Sequence, residues 1–445
     1  MKTNPHPIEP HEARIAPANL LVTVVGHTLN ITGDSAANNL IIQGDADPTV
    51  FHLASPTDTI NGVAVPVATP IGITSISIKM LGGDDTVTFG NTVHIDLAGS
   101  HTINGGDGAN TVATTDLKVE KNFSITNGTN TAGNDANHLT NLFVGGSLTI
   151  KNGDGDTSTT LDRNAAATAT DFSSILGSLS ITNGSGKDDN LIKDMNVGKN
   201  VTISNGHADV GAVAGRTQIF NSKNVSSRSV IGGNVAVSYT DGHGSTTDGI
   251  WDTKILGNVT FNHGTGAFTT NFDGLATSAP VVIRGNLIVK GTGAHTINVG
   301  TTNLKTGLDV GKSLTIATGS GVDTVISNKL EVGGATKLTL GNGDSTVNID
   351  DSTFAGTFAL TGGADFDTVN LETTAGSSSA TNFEKPVSLQ LGVGGNGYSL
   401  AAFDDANQAL IIDSSFVFNL PTNSHASGND AQVFFPFGGT IVFTN

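Results

Sequence analysis

The stretch Leu308-Asp309-Val310-Gly311-Lys312-Ser313-Leu314-Thr315-Ile316-Ala317-Thr318-Gly319-Ser320-Gly321-Val322-Asp323-Thr324-Val325-Ile326-Ser327 decides the fold. A short strand ending at Ile316 runs into a Gly-rich corner, and the corner leads into a second strand at Asp323 to Ile326. Apolar and polar residues alternate in the first, the pattern of a strand with one face turned inward. Working outward, the first strand recurs as Phe123-Ser124-Ile125, Leu148-Thr149-Ile150, Leu179-Ser180-Ile181, Val201-Thr202-Ile203, Val235-Ala236-Val237, Val259-Thr260-Phe261 and Leu287-Ile288-Val289. Leu338-Thr339-Leu340 and Phe358-Ala359-Leu360 continue the series, so nine steps cover the 235 residues from Ile125 to Leu360, with single steps of 20 to 34. Self-similarity at this period marks a solenoid.

The unit holds short strands and Gly turns with no helical period, which excludes helical solenoids and a leucine-rich horseshoe. A parallel β-helix satisfies the pattern, with the right-handed sense expected of parallel crossovers. The sequence therefore predicts an all-β fold of about 15 rungs, a rod on the order of 70 Å at the spacing of paired strands. Asn127, Asn152, Asn183 and Asn205 follow the first strand in successive units. Asn tolerates left-handed corners, and stacked equivalents can ladder from rung to rung. Asn61-Gly62 is a hairpin signal. Residues 1–19 read as a flexible tail rich in Pro, His and Glu, residues 20–398 as the repeats, and the Phe-rich residues 399–445 as a β cap over the solenoid end.

Composition agrees. Among 445 residues there are 57 Gly and no Cys, and charged residues make up only 13%. The net charge of −18 comes mainly from Asp, since Glu occurs six times. Asp favours turns where Glu favours helices. An acidic surface excludes nucleic acid as the natural partner. No run of roughly 20 apolar residues is present, so no helical membrane span is expected. The absence of Cys fits an exported protein, although residues 1–19 contain no leader-like apolar core.

The repeats, with the short stretch Ile8 to Pro17, resemble the adhesin-like and passenger β-solenoids of bacterial surface and secreted proteins. That resemblance implies a non-enzymatic structural or adhesive rod, extracellular or at the cell surface, with glycans or further copies of itself as partners. The corners around Asp107, Asp323 and the pair Asp365 and Asp367 resemble the Gly/Asp nonapeptides of RTX-type secreted proteins, which implies calcium at those carboxylates. The copies here stand about one rung apart and not in tandem, which leaves plain Asp-Gly turns as the alternative. Polysaccharide hydrolases and lyases use the same fold. Asp188-Asp189 and Gly242-His243-Gly244 resemble the paired aspartates and the Gly-His-Gly of polygalacturonase-like enzymes, making Asp188, Asp189 and His243 the catalytic candidates. Their Arg-x-Lys is missing, and Trp251, Tyr239 and Tyr398 are the only Trp and Tyr available for sugar stacking.

Overall fold

Each turn of the chain lays down three strands whose inward residues are mostly Leu, Ile, Val or Phe, with Thr, Asn and Asp among them early in the second strand, and whose outward residues are mostly Thr, Ser, Asn or Lys. In one turn these are Leu148–Lys151, Asp156–Asp162 and Ser174–Ile175, and in the next Leu179–Thr182, Asp188–Lys193 and Asn196–Val197. The two turns pair in parallel and in register: Leu148 opposite Leu179, Thr159 opposite Asn190, Ile175 opposite Val197. Repetition builds three long sheets around one continuous core, and every regular element among the described residues is a strand. The protein is a parallel β-solenoid. This computed structural model describes residues 19–391 apart from 48–49, 64–66, 70–71, 91–93, 164–172, 208–214, 221–228, 242–245, 274–279, 301–306 and 373–379, and beyond 391 the backbone of six short strands. The expected tail at 1–18 lies outside the described residues.

The rung count is lower than the expected 15. The third sheet has 14 strands, and about 11 turns have all three strands described down to their side chains. The N-terminal residues form hairpins and not rungs. Asn19–Val25 pairs antiparallel with Thr28–Thr32, and Asn39–Gly44 pairs antiparallel with Phe51–Ala54. Regular parallel pairing begins when Thr28–Thr32 and Asn39–Gly44 meet Ser75–Lys79 and Thr86–Phe89. The hairpin signal at Asn61-Gly62 holds: Ile60 and Val63 bridge antiparallel, with φ of 50° and 79° at the two turn residues. At the other end, Phe416–Asn419 and Ile441–Thr444 continue the parallel ladder of the first sheet.

One repeat sits two residues from its expected position. The strand is Thr336–Thr339, with Thr336 opposite Leu314 and Leu338 opposite Ile316. Alternation has a period of two, so a two-residue shift leaves the inward pattern intact. Thr336 is buried where other turns carry Leu, Val or Phe.

The corner between the second and third sheets opens on a residue with positive φ. Asp116, Asn141, Asp194, Asp252, Lys329, Asp351 and Glu372 hold it in seven turns, at φ of 47° to 58°. Asp and Asn accept this conformation readily, while Lys329 and Glu372 occupy it at a cost. The first-to-second-sheet corner uses Gly where turns stack closely. At Gly186, φ 138°, any side chain would run into the carbonyl of Gly155 one turn below. At the third corner Asn234 Oδ1 accepts the Asn258 N–H at 2.8 Å, and Asn258 Oδ1 accepts the Asn286 N–H at 2.8 Å. Gly311-Lys312-Ser313 belongs to this same corner, with the Ser313 N–H donated to Asn286 Oδ1 at 3.1 Å.

Candidate functional site

The polar chemistry gathers where the first sheet turns into the second, and most of it points inward. Asn127, Asn152, Asn183 and Asn205 form a buried amide ladder. Asn127 Nδ2 donates to Asn152 Oδ1 at 2.9 Å, Asn152 to Asn183 at 2.7 Å, and Asn183 to Asn205 at 2.8 Å. An inward-facing column of the second sheet braces it. Asn137 Nδ2 reaches Asn152 Oδ1 at 3.1 Å, and Asn190 Nδ2 reaches Asn205 Oδ1 at 3.0 Å. Buried amides are tolerated here because each one meets a neighbour on an adjacent turn.

In the next turn Tyr239 stands opposite Asn205, and the ladder becomes a cluster of ionisable groups. Asp248 Oδ1 accepts the Tyr239 hydroxyl at 2.6 Å and the Thr217 N–H at 2.7 Å, while Asp248 Oδ2 lies 3.1 Å from His263 Nε2. His263 stacks on Phe268 with ring centroids 4.1 Å apart, and His295 follows at 5.7 Å. Burial keeps the His263 imidazole neutral by lowering its pKa, with Asp248 acting in the opposite direction. Burial and the neighbouring Asp248 carboxylate raise the Tyr239 pKa well above the usual phenol range. A Tyr-Asp-His relay has the groups for proton transfer. Here Asp248 is 0% and His263 3% exposed, so the relay is closed to substrate and serves to hold the corner.

A second inward column opens the second-sheet strands and runs through Asp85, Asn110, Asp135, Thr157 and Asp188, and later Asp323, Ser345 and Asp367. Each acid accepts a hydrogen bond that pins a turn. Asp85 takes the Asn38 N–H at 2.7 Å, Asp135 the Asn110 N–H at 2.9 Å, and Asp323 the His295 N–H at 2.9 Å. Desolvation raises the carboxyl pKa to about 7 at Asp85 and Asp188 and to about 6 at Asp367.

The residues singled out from the sequence are not drawn together. Asp188 and Asp189 are consecutive in one strand and face opposite ways. Asp188 is fully buried and takes the Thr157 hydroxyl at 3.0 Å, whereas Asp189 faces out, 3.1 Å from Lys187 Nζ and 3.6 Å from Arg216 Nε. His243 lies outside the described residues. Asp107 is exposed and caps the Thr129 N–H at 3.1 Å. Asp365 is exposed as well, while Asp323 and Asp367 are buried, two turns or about 10 Å apart in their column. The donor sets do not suit calcium, which wants six to eight oxygens. Asp323 faces an imidazole and a backbone N–H, and Asp367 receives the Gly363 N–H at 3.1 Å. Among the described residues no three His, Asp or Glu converge as metal ligands, and no helix is long and apolar enough to cross a membrane.

The ladder was foreshadowed by the Asn in each repeat. The Tyr239, Asp248, His263 and His295 cluster was not, and its signal was positional: Tyr239 and His263 fill the slot that Asn152, Asn183 and Asn205 fill earlier. The outward pair Phe220 and Trp251 was also missed, because the rings meet only once adjacent turns are in register. No family model, curated protein or solved structure matches this chain.

Proposed function

We propose that the protein is a non-enzymatic, secreted or cell-surface rod that works by its length and by its polar outer faces, as a spacer or adhesin. The observation that carries this reading is the direction of the acids. Asp85, Asp135, Asp188, Asp248, Asp323 and Asp367 are all buried and committed to pinning turns. A glycan hydrolase needs two carboxyl groups set across a shared substrate, and Asp188 and Asp189 flank a backbone instead. The outer surface is a plain array by contrast. Thr269, Thr296, Thr324, Thr346 and Thr368 follow one another up the second sheet in successive turns. Such a face offers hydroxyls at a regular spacing of about 4.8 Å and little charge.

The test is to incubate the purified chain with cells and with insoluble polysaccharides, then assay both cosedimentation and cleavage products. Retention on a surface without cleavage is the expected result. Cleavage that disappears in Asp189→Asn would overturn the reading in favour of a carbohydrate-active enzyme.

A further inference from the structure

Among the described residues the second sheet turns only two aromatic rings outward, Phe220 and Trp251, and they are neighbours on adjacent turns. Their ring centroids are 6.4 Å apart at an interplanar angle of 88°. Trp251, the only Trp of the chain, lies along the sheet, because Gly249 two residues earlier leaves the space above its backbone open. A side chain at Gly249 would collide with the indole. The inner face of the indole therefore rests on the sheet, and its remaining exposure is to solvent. The next outward column places Gln218 beside Gly249 on one side and Asn271 on the other. The column after that carries Arg216, 52% exposed, against Asp189.

The acidity of the molecule is relieved here. The chain holds 39 acids against 21 Lys and Arg. Around the aromatic pair, Lys187, Lys193 and Arg216 stand beside Asp162 and Asp189, with Asp273 opposite Trp251, so cations and acids balance. The connections entering and leaving the Arg216–Phe220 strand are also long. Eight residues separate His207 from Arg216 and eight separate Phe220 from Ser229, where one residue suffices between Thr115 and Leu117. Long connections on a rigid scaffold are where binding function concentrates.

We propose that Trp251, Phe220, Gln218 and Arg216 form a binding platform for an anionic saccharide. An aromatic face receives the C–H face of a sugar ring, a planar amide beside it receives the hydroxyls, and a guanidinium receives a carboxylate or sulfate. Two turns span about 10 Å, the footprint of a short oligosaccharide. The proposal rests on the adhesive reading of the rod and names the ligand class and the residues that would serve it.

The single Trp makes the test direct. Emission excited at the red edge, where tryptophan alone absorbs, is followed during titration with alginate oligosaccharides and, in parallel, neutral cello-oligosaccharides. The expected result is a saturable shift or quench with the anionic chains, weakened by salt. Arg216→Ala and Gln218→Ala, read by the same Trp, should each weaken binding about threefold to tenfold. Trp251→Ala should lose binding in calorimetry by about tenfold or more. Silence with both sugars, or a response to the neutral chains alone, overturns the proposal. Surface retention of the wild-type rod separates the two ideas. Retention with a silent Trp251 leaves the rod reading standing without this site, whereas a responding Trp251 without retention keeps the site and removes the adhesive role.

Discussion

The corner between the first and second sheets is built twice in this molecule, from different materials. In the turns from Phe123 to Asn205 it is filled by the amides of Asn127, Asn152, Asn183 and Asn205, with Asn137, Thr159, Asn190 and Thr217 opposite. In the turns from Leu287 to Leu391 the same backbone positions carry Gly291, Thr318 and Leu340, opposite Ile297, Val325, Val347 and Val369. Further round the coil the later turns stack rings, with Phe354 and Phe383 at 5.0 Å and Phe358 against Phe383 at 5.1 Å. The strand register does not change between the two regions. The coil therefore requires filled volume and paired polar groups, and either chemistry supplies them. Tyr239, Asp248 and His263 sit at the change from one to the other, so Asp248 bonds to both sides.

The sharpest way to break the comparison is at that junction. Asp248→Ala leaves the Thr217 N–H and His263 Nε2 without their acceptor inside the core, and the Tyr239 hydroxyl with Thr217 Oγ1 alone. Equilibrium denaturation should show a loss of about 3–5 kcal/mol. A loss under about 1 kcal/mol would mean the two regions do not depend on the joint.

Next in size is Asp188→Asn, which tests whether the acid column strains the amide region. Its carboxyl pKa is raised by burial to about 7 from 3.8. The folded state thus holds the proton more tightly than the unfolded chain, and stability falls as pH rises from about 4 to about 7. Above that window the penalty is fully present, at an upper figure of about 4 kcal/mol for a shift of roughly three units. The variant should be more stable than wild type at pH 8 and equal to it below pH 4, judged by melting across that range. His101, whose pKa burial lowers to about 4 from 6.5, works in the reverse sense, costing stability as pH falls between those values. It is unchanged in the variant, so the difference curve isolates Asp188.

A reciprocal exchange sharpens the contrast directly. Asn152→Leu removes the partner of Asn127, Asn137 and Asn183, and Leu340→Asn places an amide where the ladder is absent. Each should cost about 2–3 kcal/mol in a denaturant melt. A neutral Leu340→Asn would show that the later turns accept amides as freely as the earlier ones.

The smallest effect concerns both regions alike. Melting in excess calcium and in a chelator should give the same midpoint, because Asp323 and Asp367 are buried two turns apart and each has one oxygen held by a backbone N–H. A calcium-raised midpoint would place an ion at the corners.

The coil itself was legible because inward Leu, Ile and Val recur in alternation with Thr and Ser, and Gly marks the corners. The Asn ladder was legible for the same reason. The hairpins of residues 19–54 were misread as rungs, since alternation describes one strand and says nothing about whether its partner runs parallel or antiparallel. Thr336 was missed as a core residue because its hydroxyl reads as an outward position. The positive-φ corners were hidden because Asp116, Lys329 and Glu372 carry no glycine signature. The Trp251 platform was hidden because it is assembled from two turns, and sequence distance does not reveal which turns touch.

The parallel register has a mechanical consequence. Ile76 and His101 are paired neighbours 25 residues apart, so one turn occupies about 5 Å of rod yet contains about 85 Å of chain. Pulled from its ends, the molecule would unspool one coil at a time, lengthening many-fold under nearly constant load. The stretch from Asn127 to Thr217 would release last, because there the side chains, as well as the backbone, tie each coil to the next.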